Sequence, residues 1–318
     1  MFSIIIPTYN RCNITLKLIM SLSEQVRDND EVIVIDDGSD DNTFKVLSAL
    51  QFEWLKVYTI PNSGGPAIPR NIGFNKAINN WVCFLDSDDW WGDGKLELLK
   101  SNLSGKEEEM AFSYHNGIGS KTKRIFGRQL YNKSEIYNFT RNSILMSSLT
   151  INKRFFSDRS FIFDESEKSS SIEDTIFAYE LFFYKMPYVY IDQCLSVYTE
   201  SSADSISQSH QQLDKLYLYH KGNPYNLSWI KSLIIRSYWK SRLKSSMRSI
   251  KDSSKKEKIF NLDVLLLFFQ IPLSMIVFFY TRVYVDKVKI KTKNKSYSAV
   301  NDSGLVKYQE SLLNNNFK

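Results

Sequence analysis

Cysteine is scarce in this chain of 318 residues. Only Cys12, Cys83 and Cys194 occur, odd in number, scattered and without the paired spacing of a metal knuckle. That excludes a disulfide framework and fits a reducing compartment. Histidine is equally rare, and His115, His210 and His220 each read as ordinary packed or surface residues. No G-x-x-x-x-G-K-[ST] loop is present, and no G-x-G-x-x-G follows a strand, which argues against the P-loop and dinucleotide-binding classes. The first residues enter an apolar strand with no basic stretch and long apolar core, so no secretory leader is expected. Matches to Asn-x-Ser/Thr, such as Asn138-Phe139-Thr140, then carry no meaning as glycan acceptors. The remaining composition, 43% hydrophobic and 24% charged, is globular.

What the sequence does have is Asp86-Ser87-Asp88-Asp89, placed directly after the apolar run Trp81-Val82-Cys83-Phe84-Leu85. Such a run reads as a strand of a buried sheet, delivering carboxylates to the edge where open α/β sheets bind ligands. Crowded carboxylates repel one another, and a Mg²⁺ or Mn²⁺ bridging to phosphate oxygens relieves the repulsion. The alternative is a solvated turn that caps the helical pattern beginning near Lys95. Three further apolar runs end in polar loops. Residues 2–6 lead into Pro7-Thr8-Tyr9-Asn10-Arg11, residues 31–35 into Asp36-Asp37-Gly38-Ser39, and residues 55–60 into the loop 62–70. Helical patterns over 13–26 and 41–51, and a helix opened by Arg70-Asn71-Ile72-Gly73, alternate with them as in a parallel sheet.

These four segments, in this order and at this spacing, resemble the inverting family-2 glycosyltransferases of the GT-A fold. The resemblance is close over residues 1–115 and looser over 116–200. It implies an α/β fold with a mostly parallel central sheet, residues 1–115 binding the nucleotide sugar and residues 116–200 the acceptor. It also implies that Pro7, Thr8, Tyr9 and Arg11 line a uridine pocket, that Asp37 accepts a hydrogen bond from the base, and that Asp86 lies on the ribose side. A carboxylate suits the uracil N–H, since it carries acceptors only. Arg70, near the start of its helix, is expected to face the diphosphate. Asp88 is implied as the ligand of Mn²⁺ or Mg²⁺, and Asp174, with Glu173 next to it, as the general base at the head of a helix. An acid in a first helical turn also simply complements the helix dipole. Residues 144–151 read as a strand near the acceptor. One departure is evident: where many relatives carry a histidine after the next strand, this chain has Val197-Tyr198-Thr199-Glu200-Ser201. Glu200 and His210 are the candidates to replace it.

The net charge of +6 is unevenly distributed. Residues 231–295 hold 16 Lys/Arg against 4 Asp/Glu, and residues 1–230 hold 23 against 29. The basic stretch brackets the apolar run 264–280, interrupted by Pro272. Seventeen residues is short for a span, and two Lys-rich flanks favour a helix lying in one leaflet. At 100° per residue Asp263, Gln270, Ser274 and Thr281 fall within about 20° of one line, leaving one polar stripe. A helix buried in a protein core would carry the same stripe. The expectation is therefore a helical basic extension over 201–258 and a membrane-associating segment with a polar tail over 259–318. An anionic membrane surface is the partner of residues 240–295, in preference to nucleic acid. Together these features imply a transferase at the cytoplasmic face of the inner membrane. It would move a hexose from a nucleotide sugar, UDP-hexose foremost, to a lipid-linked saccharide in O-antigen, capsule or exopolysaccharide synthesis. A nucleotidyltransferase of related layout and an inactive adaptor that binds UDP are the alternatives.

Overall fold

The computed structural model describes residues 1–127, 144–158, 162–166 and 172–200. The chain divides into two units, Met1–Ile234 and Ile235–Lys318, and every described residue lies in the first. The expectations for 201–258 and 259–318, including the apolar run, its polar stripe and His210, lie outside the described residues. Among the described residues no helix is long and apolar enough to cross a membrane.

The first half alternates strand and helix: β1 (Phe2–Thr8), α1 (Cys12–Leu22), β2 (Glu31–Asp36), α2 (Thr43–Ser48), β3 (Leu55–Thr59), α3 (Ala67–Lys76) and β4 (Trp81–Phe84). These four strands pair in parallel in the order β3-β2-β1-β4. β1, β2 and β4 are buried along their whole length, which is why their sequences are nearly unbroken apolar runs. The two-residue period of a strand sorts the side chains between two cores. Ile5, Ile33, Ile35, Val82 and Phe84 pack with Phe74 of α3 on one face. Ile4, Ile6, Val32, Val34 and Cys83 pack with Leu18, Ile19 and Leu22 of α1 and Leu47 of α2 on the other.

The second half adds β5 (Trp90–Trp91), α4 (Lys95–Leu103), β6 (Phe112–Gly119), β7 (Ile125–Phe126), β8 (Leu149–Asn152), α5 (Glu173–Phe183) and β9 (Tyr188–Tyr198). The strand order becomes β3-β2-β1-β4-β8-β6-β9-β5, with β7 beside β6. This corrects the expectation of a mostly parallel sheet. β8 runs antiparallel to both β4 and β6, β5 antiparallel to β9 and β7 antiparallel to β6, so the sheet is mixed. β8 is buried at every residue, as β1, β2 and β4 are, so its reversed direction leaves no mark on the burial pattern. Residues 144–151 differ similarly: a 3-10 turn at Met146–Ser148 precedes β8, so only the end of that stretch is strand. α1 and α2 are shorter than their sequence patterns. α3 begins at Ala67, three residues before Arg70, and Pro69 sits in its first turn, where a missing N–H costs nothing.

Two glycines fix local geometry for different reasons. Gly73 lies where a Cβ would run into the Ile5 side chain, so α3 packs directly onto β1. Gly38 has φ +72°, and a Cβ there would meet the Asn62 backbone nitrogen at 2.6 Å. Gly94 has a matching φ of +71° with open space around it. Gly94→Ala should therefore cost about 1–2 kcal/mol for the left-handed backbone alone. Gly38→Ala should cost about 1–3 kcal/mol more, because the Asn62 backbone must move. Urea unfolding of the two variants measures the difference.

Candidate active site

The carboxyl ends of β1, β2 and β4 share one edge of the sheet, as their parallel pairing requires. At the end of β1, Pro7 is buried opposite Ile35, and the Thr8 hydroxyl is 2.8 Å from that of Thr15. The Thr8 carbonyl accepts from the Asp37 N–H at 2.8 Å. Thr8 thus faces inward and ties β1 to the loop after β2. Tyr9 is 43% exposed at the rim. Asn10, in the left-handed region at φ 51°, fastens two loops together. Its N–H donates to Ser39 Oγ, and its Oδ1 accepts from the Asp40 N–H, both at 2.8 Å.

The two adjacent acids after β2 have separate jobs. Asp36 is buried and accepts from the hydroxyls of Ser39 and Thr59, closing the turn. Asp37, 5% exposed, accepts from Ser63 N–H at 2.8 Å and Ser63 Oγ at 2.7 Å, so it fixes the Gly-rich loop before α3. Burial pushes the Asp37 carboxyl up, with the neighbouring Asp36 adding to the effect, while the Ser63 hydrogen bonds oppose it.

Arg70 joins the two halves of the site. It is 3% exposed; Nη2 donates to Asp86 Oδ1 at 2.6 Å and Nη1 to Glu173 Oε1 at 3.0 Å. Burial opposes its charge, but Asp86, Glu173 and Asp174 together hold the guanidinium firmly protonated. Its terminal nitrogens are engaged by carboxylates, and it lies in the second turn of α3 rather than at the helix start. The expected position at the helix start is thus corrected by three residues. Its neighbour Asn71, which no sequence pattern singles out, grips the segment before α5. Nδ2 donates to Phe163 O and Glu165 Oε1, both at 2.8 Å, and Oδ1 accepts from Ile162 and Phe163 N–H.

At the head of α5 the two acids differ in access. Glu173 is 3% exposed, and burial, reinforced by Asp174, raises its carboxyl to about 7 despite Arg70. Its Oε2 has no hydrogen-bond partner among the described residues. Asp174 is half-buried; Oδ1 accepts from Thr175 N–H at 2.6 Å, and no partner for Oδ2 occurs among the described residues. Burial raises the Asp174 carboxyl as well, against the pull of Arg70. Asp174 is therefore the less buried of the two acids, with a raised carboxyl and one oxygen lacking a partner among the described residues.

Within the acidic cluster Asp88 Oδ2 pairs with Arg11 Nη1 at 2.7 Å, and the same nitrogen reaches Ser87 Oγ at 3.3 Å. Burial raises the Asp88 carboxyl and Arg11 opposes it. Asp89 is buried behind the cluster, accepting from Ser147 Oγ at 2.6 Å and Thr199 N–H at 3.0 Å. Among the described residues no group of three His, Cys, Asp or Glu side chains converges as a metal cage. Asp88 alone fits a hard divalent cation that takes its other ligands from phosphate and water, the arrangement Mg²⁺ favours. Glu200, a candidate for the missing histidine, is committed elsewhere. Its carboxylate accepts from the N–H groups of Lys121 and Thr122 and the Thr122 hydroxyl, capping the turn between β6 and β7. His115 is fully buried, as a packed histidine, with Nδ1 against the Asn116 carbonyl.

Known proteins resemble this chain in sequence and fold. The family model of glycosyl transferase family 2 matches residues 3–166. An uncharacterized glycosyltransferase of Rickettsia bellii is 41% identical over 112 residues, 35% of this chain and 16% of that protein. The poly(ribitol-phosphate) beta-N-acetylglucosaminyltransferase TarS of Staphylococcus aureus is 29% identical over 187 residues, 55% of this chain and 31% of TarS. The matched stretch thus spans less than a third of either relative. Among solved structures, S. aureus TarS 1–349 in complex with UDP-GlcNAc superposes with a TM-score of 0.57 at 24% identity. It covers 68% of this chain and 64% of that one. The mannosyltransferase PcManGT of Pyrobaculum calidifontis, in complex with GDP-Man and Mn²⁺, gives 0.52 at 13% identity, with 83% and 78% covered. These likenesses establish the GT-A-like fold. With just over half of its residues inside the family match, and the four motif segments gathered around one sheet edge, the chain belongs to glycosyl transferase family 2.

Proposed function

We propose that the protein is an inverting glycosyltransferase that moves a hexose from a nucleotide sugar to a hydroxyl of a saccharide acceptor. One observation carries the reading: the buried Asp86–Arg70–Glu173 bridge ties the strand end of the donor side to the helix bearing Asp174. In this reading Asp174 Oδ2 takes the acceptor proton as the acceptor oxygen attacks C1. The C1 to phosphate oxygen bond breaks on the opposite side, and the nucleoside diphosphate leaves without a covalent enzyme intermediate. Tyr9, Arg11 and Asp37 would surround the nucleoside, with Pro7 and Thr8 fixing the backbone beneath, and Asp86 would approach the ribose.

Asp88 is the residue to hold Mn²⁺ or Mg²⁺. Such an ion, when bound, supplies Lewis-acid stabilisation to the departing diphosphate. Local charge supports it, since Asp86, Asp88 and Asp174 outnumber Arg11 and Arg70 even when Glu173 is protonated. UDP is the first nucleotide to test because TarS binds UDP-GlcNAc, and GDP the second because PcManGT binds GDP-Man. A lipid-linked saccharide of a surface polysaccharide, met at the cytoplasmic face of the inner membrane through residues 240–295, is the acceptor and setting we propose. The basic and apolar composition of that stretch supports it.

The direct test incubates the protein with UDP- and GDP-sugars, Mn²⁺ and a synthetic sugar-diphosphate-lipid. Transfer with release of the nucleoside diphosphate is expected. Release of pyrophosphate would make the chain a nucleotidyltransferase, and nucleotide binding without turnover would make it an adaptor. Asp88→Asn should lower metal-dependent turnover about 10³-fold, or about 4 kcal/mol of transition-state stabilisation. Asp174→Asn should keep nucleotide affinity in calorimetry while transfer falls about 10²- to 10⁴-fold. Glu173 yields a stability prediction. Its folded carboxyl is raised to about 7, so between its ordinary value and pH 7 the folded state keeps a proton that the unfolded state releases. Stability therefore falls as pH rises through that window. Glu173→Gln, which keeps an acceptor for Arg70, removes a penalty of up to about 3 kcal/mol. The melting midpoint of the variant relative to the unsubstituted protein should rise from pH 5 to pH 8.

A further inference from the structure

Ser147, in the 3-10 turn before β8, stands out by its bonding although no sequence pattern marks it. It is fully buried. Its hydroxyl accepts from the Asp86 N–H at 3.2 Å and donates to Asp89 Oδ2 at 2.6 Å. Its carbonyl accepts from Trp91 Nε1 at 2.9 Å, Lys95 Nζ at 2.7 Å and Ser196 Oγ at 2.8 Å. Lys95 is itself fully buried, with its Nζ 3.5 Å from the centre of the Trp91 ring. The Asp89 N–H closes a turn onto the Asp86 carbonyl at 3.0 Å, and Asp89 Oδ1 takes the Thr199 N–H. Residues 86–89 are thus pinned from beneath at both ends. The carbonyl, with three donors, anchors Ser147 to α4 and β9. The hydroxyl alone faces the acidic turn.

We propose that Ser147 is a positioning residue of the donor site. Its hydroxyl, acting through the Asp86 amide and the Asp89 carboxylate, sets where Asp86 and Asp88 stand, and Asp89 serves as a pillar rather than a ligand. This rests on the donor-site reading above. A buried hydrogen bond to the turn between two functional carboxylates acts like the outer-shell contacts of metal sites, whose loss weakens affinity about 10- to 100-fold.

Two substitutions separate positioning from plain core stability. Ser147→Ala removes the hydroxyl. Ser196→Ala removes a bond to the same Ser147 carbonyl and leaves the hydroxyl in place. In calorimetry below both melting transitions, Ser147→Ala should weaken Mn²⁺-dependent UDP binding about tenfold and uridine binding, which involves Asp86 but not Asp88, distinctly less. Ser196→Ala should lower the melting midpoint without altering the ratio of UDP to uridine affinity. Amide exchange without nucleotide should be about tenfold faster at residues 86–89 in Ser147→Ala and unchanged there in Ser196→Ala. Equal effects of the two variants on the affinity ratio, or unchanged exchange at 86–89 in Ser147→Ala, overturn the proposal. If the unsubstituted protein binds no UDP with Mn²⁺, the donor reading fails, and exchange alone decides the role of Ser147. If Ser147→Ala does not fold, the isosteric Asp89→Asn removes the Oδ2 acceptor and is read against the same criteria.

Discussion

A guanidinium buried between two carboxylates is the interaction on which the site depends. Arg70 is contributed by α3, Asp86 by the end of β4, and Glu173 by the head of α5, so one side chain fixes three elements that are distant in sequence. Taking such charges out of water is expensive, and the cost is offset only when the geometry and partners are complete. Both terminal nitrogens of Arg70 are paired, while its Nε and Glu173 Oε2 have no hydrogen-bond partner among the described residues. Gly73 lets α3 lie against β1, and Asn71 holds the segment before α5 with four hydrogen bonds. The Arg70 guanidinium carbon also lies 5.4 Å from the centre of the Phe163 ring.

The same economy of partners governs the rest of the edge. Most acids of the motifs are paired or hydrogen-bonded within the protein: Asp36 by Ser39 and Thr59, Asp37 by Ser63, Asp88 by Arg11, and Asp89 by Ser147 and Thr199. Such fixed carboxylates hold the strand-end loops in place before any ligand arrives. Asp174 is held in the same way by the Thr175 N–H, with Oδ2 left without a partner among the described residues. Glu173 is sealed beside Arg70, whereas Asp174 is half-buried.

Much of the first half is legible in the linear chain. Continuous apolar runs mark β1, β2 and β4, because strands covered on both faces must be apolar throughout, and the polar residues that follow each run mark the edge. The second half is less legible. Its β5 and β7 have two residues each, β6 shifts register against β9 between His115 and Gly117, and β8 opens from a 3-10 turn. The antiparallel β8 looks the same in sequence as β4 of the parallel set, since it too is buried at every residue. Glu200 illustrates another limit: its position after β9 suggests a replacement ligand, and only the β6–β7 turn beside it shows what its carboxylate does.

The sequence by itself determined the class of fold, the family and the identity of the acids at the strand ends, because these follow from periodicity and from motif spacing, which are properties of the linear chain. Tertiary structure alone decided who partners whom. That Arg70 bridges Asp86 and Glu173, that Arg11 faces Asp88, and that Ser147 supports the turn between Asp86 and Asp89 depend on separations of 16 to 103 residues. Hydrogen bonds and ion pairs act over a few ångströms in space, and no local pattern in the chain records which distant residues the fold will bring within that reach.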